Sequence, residues 1–307
     1  MVKLMVKLMD GRFKDGESSE CDAESAEKEN LSMKEDMMKI CFNAGPDPLE
    51  EYFPFAHENG FKWMELSCNN PNNFLDKFNS KRITGLKKLR DRYGLRYGLH
   101  SASFVNTAEI EPTVRKGVQQ HLIDYLELAH DLEAEYLVLH FGYHFSLFMD
   151  EVFRCLIENY KPVVALAEKY RIPIGVETMN QVHKECEIVY LGVYIEEFKR
   201  VFEALPSEYF GLTLDVAHAE LLPGGAKSFM DEFPGKIVST HISDNDKFLD
   251  RHLPVGAGKI EFPPIFKALN DIGFKGTLNI ELKKNDERLL SKQRMEPMLQ
   301  KLGIAYE

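Results

Sequence analysis

The sequence predicts an α/β fold, a closed (β/α)8 barrel, and three observations carry that expectation. Short β-branched or apolar runs recur eight times from residue 38 onward. Amphipathic stretches long enough to form helices separate them. Each run ends on, or one residue after, a polar side chain that could hydrogen-bond or ligate a metal.

The runs are MKICFN (38–43), KWMEL (62–66), LRYGLH (95–100), YLVLH (136–140), IPIGVE (172–177), FGLTLD (210–215), KIVSTH (236–241) and GTLNIE (276–281). Between them, Val114, Val118, Leu122, Leu126 and Ala129 recur every three or four residues, which places them on one helical face. Val152, Leu156, Val163 and Ala167 form a second stripe, and Ile265, Leu269 and Ile272 a third. Pro112 stands near a helix start, where its missing N–H costs nothing. Gly60, Gly94 and Gly273 follow helical stretches as C-caps. Strand–helix alternation implies parallel pairing, with each helix as a crossover. Eight repeats imply closure instead of an open doubly wound sheet, and no GxGxxG follows the first run.

Residues 1–37 stand apart as an acidic, disordered N-terminal extension, and residues 38–307 as the barrel. The segment GESSECDAESAEKENLSMKED is polar and poor in large apolar groups, so it cannot offset the entropy of ordering. The first residues do not read as a secretory signal, and no run approaches the roughly 20 apolar residues needed to span a bilayer. Five scattered cysteines without a CxxC pair indicate neither a zinc knuckle nor a disulfide framework. A cytoplasmic setting is the expectation. The formal charge is −11, and both segments are acidic, which speaks against a nucleic-acid partner that must have its phosphates neutralised. Trp63, Phe74 and Phe78 are expected near the loop after the second strand, as core packing, and a homo-oligomer is left open.

The strand ends carry the chemistry. Asn43, Glu65, His100, His140, Glu177, Asp215, His241 and Glu281 would converge on the C-terminal rim of a barrel, where active sites form. Two Glu, one Asp and one His make a mixed oxygen–nitrogen set suited to a divalent ion such as Mn, Co, Mg or Zn. Without a cation, three converging carboxylates would repel one another and rise in pKa. His218 follows Asp215 by three residues. The loop after His241 adds Asp244, Asp246, Asp250, Arg251 and His252, as substrate contacts or as a solvated turn.

The motifs GLHSAS (98–103), LVLHFG (137–142), IGVETMN (174–180), LTLDVAHAEL (212–221), HISDND (241–246), DRHLPVGAGKI (250–260) and LNIEL (278–282) resemble the xylose-isomerase-like barrels. That superfamily includes sugar-phosphate isomerases and epimerases as well as endonuclease IV. The isomerase pattern implies Glu177, Asp215, His241 and Glu281 as ligands of one metal ion. It implies Glu177 and Glu281 as the acid–base pair, with a sugar or polyol substrate. Substrate contacts would come from His100, His140, His183, His218, Lys247, Arg251 and His252. His183 and Lys247 occupy positions where relatives often carry Glu and Arg, so the sugar-binding shell differs.

Endonuclease IV is the rival. Its three-metal pattern would recruit His100, His140, Glu177, Asp215, His218, His241, Asp250, His252 and Glu281, all matched by type. Against it stand the acidic charge, FGYH in the loop after residue 140, and VAHAE after Asp215. A keto-polyol dehydratase, or a barrel that binds without turnover, are further readings.

Overall fold

A computed structural model describes residues 37–181 and 186–307 of the chain. Met38–Glu307 forms one compact unit. The acidic segment at residues 1–36 lies outside the described residues.

Eight strands close the barrel: β1 Lys39–Ala44, β2 Trp63–Ser67, β3 Arg96–His100, β4 Leu137–Leu139, β5 Ile174–Glu177, β6 Phe210–Asp215, β7 Ile237–Ile242 and β8 Thr277–Ile280. Each pairs in parallel with its sequence neighbours, and β1 closes on β8 through Lys39↔Thr277 to Phe42↔Ile280. The α/β barrel expected from sequence is the fold observed.

The helices follow the strands: α1 Tyr52–Glu58, α2 Ser80–Tyr93, α3 Pro112–Leu132, α4 Met149–Tyr170, α5 Ile195–Ala204, α6 Gly225–Glu232, α7 Phe262–Asp271 and α8 Asn285–Lys301. Pro112 is the first residue of α3, where Glu111 caps the exposed amides of Thr113 and Val114. Gly94 ends α2 in the left-handed region at φ 62°, which costs glycine little. The α3 stripe buries Val118, Leu122, Leu126 and Ala129, but Val114 is exposed, because it lies in the first turn beyond the layer of packed side chains. The α4 stripe is buried throughout.

The apolar core lies between strands and helices, not inside the barrel. Met64 and Leu66 of β2, Leu137 and Leu139 of β4, and Leu212 and Leu214 of β6 belong to it. Since side chains alternate along a strand, the residues between them face inward. Those are largely polar: Glu65 and Ser67, Thr213 and Asp215, Ser239 and His241, Asn279. Gly98 is required here, since a Cβ would meet the Tyr136 ring at 2.2 Å.

At the opposite end, Ile40 and Met38 exchange backbone hydrogen bonds with the C-terminal residues, and Trp63 Nε1 donates to Glu307 Oε1 at 2.8 Å. Trp63 therefore opens β2 far from the loop that follows it, a correction to the sequence expectation. Phe78 packs on the core, and Phe74 meets the exposed Phe104 ring edge-on. Strand ends also shift by a residue or two. β4 stops at Leu139 and β8 at Ile280, leaving His140 and Glu281 just beyond. Outside the barrel, Tyr143–His144 pairs antiparallel with Val189–Tyr190, a ribbon the hydrophobic pattern does not announce.

Candidate metal centre

Four strand ends build the centre. Asp215 ends β6 and His241 is its direct neighbour in register on β7. Glu177 ends β5, and Glu281 follows β8. Ligand atoms of Glu177, Asp215, His241 and Glu281 all lie within 4.8 Å of one another. His241 Nδ1 stands 3.3 Å from Glu177 Oε1 and 3.3 Å from Glu281 Oε2.

Hydrogen-bond accounting shows what this cluster lacks. Asp215 Oδ2, His241 Nδ1 and Glu281 Oε2 are buried without a hydrogen-bond partner. A buried polar atom left unpaired costs about 1–3 kcal/mol, so three of them aimed at one point call for a shared partner. A divalent cation satisfies all three, and the donor set of three carboxylates and one imidazole nitrogen suits it.

The electrostatics agree. Burial, reinforced by Glu281 and Glu177, pushes the Asp215 carboxyl up to about 7, although His218 opposes it. Burial acts on Glu177 in the same direction, but the charges of His241 and His140 and hydrogen bonds from His100 and His140 hold it well below the usual carboxylate range. His241 more than offsets burial at Glu281 and holds it at about 2. Burial would lower His241, yet Glu65, Glu177 and Glu281 raise it well above the usual range.

Two flanking groups complete the neighbourhood. His100 Nε2 and His140 Nε2 meet Glu177 Oε2 at 3.1 and 2.7 Å, forming one ligand-type set with it. His218, Asp250 and His252 form another, with Asp250 Oδ2 at 3.2 Å from His218 Nε2 and 3.1 Å from His252 Nε2. His218 Nδ1 is spent on the Thr178 carbonyl at 2.8 Å. Burial opposes the rise, but neighbouring carboxylates push His218 and His252 up to about 10.

Of the other residues expected to contact substrate, Lys247 pairs with Glu220 at 3.2 Å and lines a separate cavity with Lys227 and Glu261. Arg251 is held by Asp246. Neither is brought to the four-residue cluster. His183 lies outside the described residues. His252, by contrast, borders a cavity next to Glu281.

Sequence reasoning left Glu65 without a role. It is fully buried, accepts from Asn43 Nδ2 at 3.1 Å and Tyr136 Oη at 3.0 Å, and stands 3.1 Å from His241 Nε2.

The family model described as xylose isomerase-like TIM barrel matches residues 53–302. The chain belongs to the xylose isomerase-like TIM barrel family. Within reach of that family, the uncharacterized protein MJ1311 of Methanocaldococcus jannaschii is 28% identical over 277 residues, covering 88% of this chain and 90% of its own. A solved D-tagatose 3-epimerase-like protein superposes with a TM-score of 0.79 at 27% identity, over 87% of this chain and 98% of that one. The solved IOLI protein, which carries a bound zinc atom, shares the fold with a TM-score of 0.71 at 18% identity, over 86% of this chain and 99% of that one. Among the described residues no helix is long and apolar enough to cross a membrane.

Proposed function

We propose that the chain is a divalent-metal-dependent isomerase or epimerase of open-chain sugars, sugar phosphates or related polyol ketones. One ion, Mn, Co, Mg or Zn, would be held by Glu177, Asp215, His241 and Glu281. The observation that carries the reading is the pair of carboxylates, Glu177 and Glu281, that reach His241 Nδ1 from different strands, each at 3.3 Å. When bound, such an ion supplies Lewis-acid polarisation of a carbonyl and positive charge for an enediolate.

The chain's own residues handle the proton. Glu177 and Glu281 are both held ionised at neutral pH, so either can accept a proton from the carbon beside the carbonyl. His100 and His140 hold one Glu177 oxygen, Oε2, and so orient the other, Oε1, toward the cluster. One carboxylate removes the proton and passes it to solvent, and the other, having taken up a proton from solvent, delivers it to carbon. Return to the opposite face of the same carbon epimerises, and return to the neighbouring carbon isomerises. Loss of a β-hydroxyl from the same intermediate would dehydrate.

The test is solvent exchange. A panel of ketoses and ketose phosphates incubated in D2O with metal-loaded protein should gain deuterium at the carbon beside the carbonyl. A panel that stays unlabelled, with the metal bound, overturns the reading.

A second reading, a multi-metal phosphodiesterase acting on abasic DNA, has one observation in its favour: both flanking groups are also ligand-type sets. The partner accounting favours a single ion. Among His100, His140, His218, Asp250 and His252, the one buried side-chain atom left unpartnered is Asp250 Oδ1, whereas the central set leaves three.

A further inference from the structure

Beside the metal centre, the ends of β1, β2 and β8 border a cavity of about 260 Å3. At about 30 Å3 per water molecule, that is room for a short polyol. Glu281 forms the side nearest the ligand cluster, and Asn43, Ser67, Asn69, Asn70 and Lys283 line the rest.

The polar groups of that wall are unevenly spent. Asn69 Oδ1 accepts from Ser103 N at 2.7 Å and from Ser103 Oγ at 2.9 Å. Asn70, only 9% exposed, uses its Oδ1 on the Asn72 amide at 2.8 Å. Both acceptors are taken, and both side-chain amino groups remain without a partner among the described residues. Lys283 likewise has no ion pair among the described residues. What Asn69, Asn70 and Lys283 offer to a ligand is therefore a set of donors, two amides and one ammonium; Asn43 beside them spends its Nδ2 on Glu65 and presents an acceptor, Oδ1.

Such a set matches an oxyanion, because charge-assisted hydrogen bonds to phosphate or carboxylate are about twice as strong as neutral ones. We propose that this cavity receives the distal end of the substrate, and that Asn69, Asn70 and Lys283 bind a terminal phosphate or carboxylate on a polyhydroxy ketone. The inference rests on the reading of Glu281 as part of the reacting centre. It narrows that reading from sugars in general to acidic ones.

The experiment is calorimetric titration of the full chain, loaded with one equivalent of Mn, with three probes: fructose, fructose 6-phosphate and 5-ketogluconate. At least one anionic probe should bind about tenfold more tightly than fructose or better. Phosphate and carboxylate termini are told apart by which probe gains. In Lys283→Gln the ratio should fall toward one, and in Asn70→Ala it should fall in part. Equal affinities in the parent protein, no binding by any probe, or an anionic preference that survives Lys283→Gln would each overturn the proposal. Deuterium exchange on the same samples separates the two ideas. Anion-selective binding without exchange would leave the subsite standing and sink the isomerase reading, whereas exchange without anion selectivity would do the reverse.

Discussion

Glu65 Oε1 lies 3.1 Å from His241 Nε2, on the side of the ring away from Glu177 and Glu281. A carboxylate there accepts the Nε2 proton, which fixes the tautomer and leaves Nδ1 free to ligate. Glu65 is in turn held by Asn43 and Tyr136, and Thr277 donates to Tyr136 Oη at 3.1 Å. The proposed ligand is thus aimed from beneath by a buried chain of hydrogen bonds.

Glu65→Gln keeps the shape but loses the charge and the strong acceptor. Metal affinity should fall about 10- to 100-fold, as for other partners of ligating histidines. Competition against a chelator of known affinity measures it. An unchanged affinity would remove Glu65 from this role.

Gly98→Ala should disturb the same chain directly, at Tyr136. Its Cβ would meet the Tyr136 ring at 2.2 Å, and overpacking of this kind costs about 1–3 kcal/mol. Gly85→Ala is the control, since a Cβ there meets nothing within 4 Å in the helix α2 and should stabilise by up to about 1 kcal/mol. Denaturant unfolding of both variants checks the pair.

Glu177→Gln and Glu281→Gln should each abolish turnover, since on the proposed reading each removes a proton acceptor at the reacting carbon as well as a metal ligand. Readings of metal content alongside activity tell the two losses apart. Activity close to the parent in either variant contradicts the assignment.

Metal binding should release protons. His241 is held well above its usual range, so it is charged in the metal-free protein at neutral pH and must lose a proton to ligate. Affinity should therefore rise with pH, about tenfold per unit for each proton displaced. Asp215, pushed up to about 7, should steepen the dependence below that pH by adding a second proton to displace. Calorimetry in two buffers of different ionisation enthalpy counts the protons.

Much of this was legible in the sequence because a barrel repeats. Each strand's run, its polar end and the helix behind it appear eight times, so the convergence of Glu177, Asp215, His241 and Glu281 follows from order alone. Glu65 stood among the polar strand ends, but its role did not show, because its partners Asn43, Tyr136 and His241 come from three other runs. The alternation Trp63, Glu65, Ser67 places Glu65 on the inward face, beside Asn43 in register. The pairing of Lys247 with Glu220 and of Arg251 with Asp246 depends on loop conformation, which no periodicity encodes. The cavity between β1, β2 and β8 is likewise assembled from separate loops, and the closing pair β1–β8 joins residues far apart in the chain.

Elemental analysis of protein purified without chelator tests the central claim most directly. The partner accounting at Asp215, His241 and Glu281 predicts about one Mn, Co, Mg or Zn per chain. Close to three zinc ions per chain would contradict it, and would turn attention to phosphodiester cleavage at abasic sites.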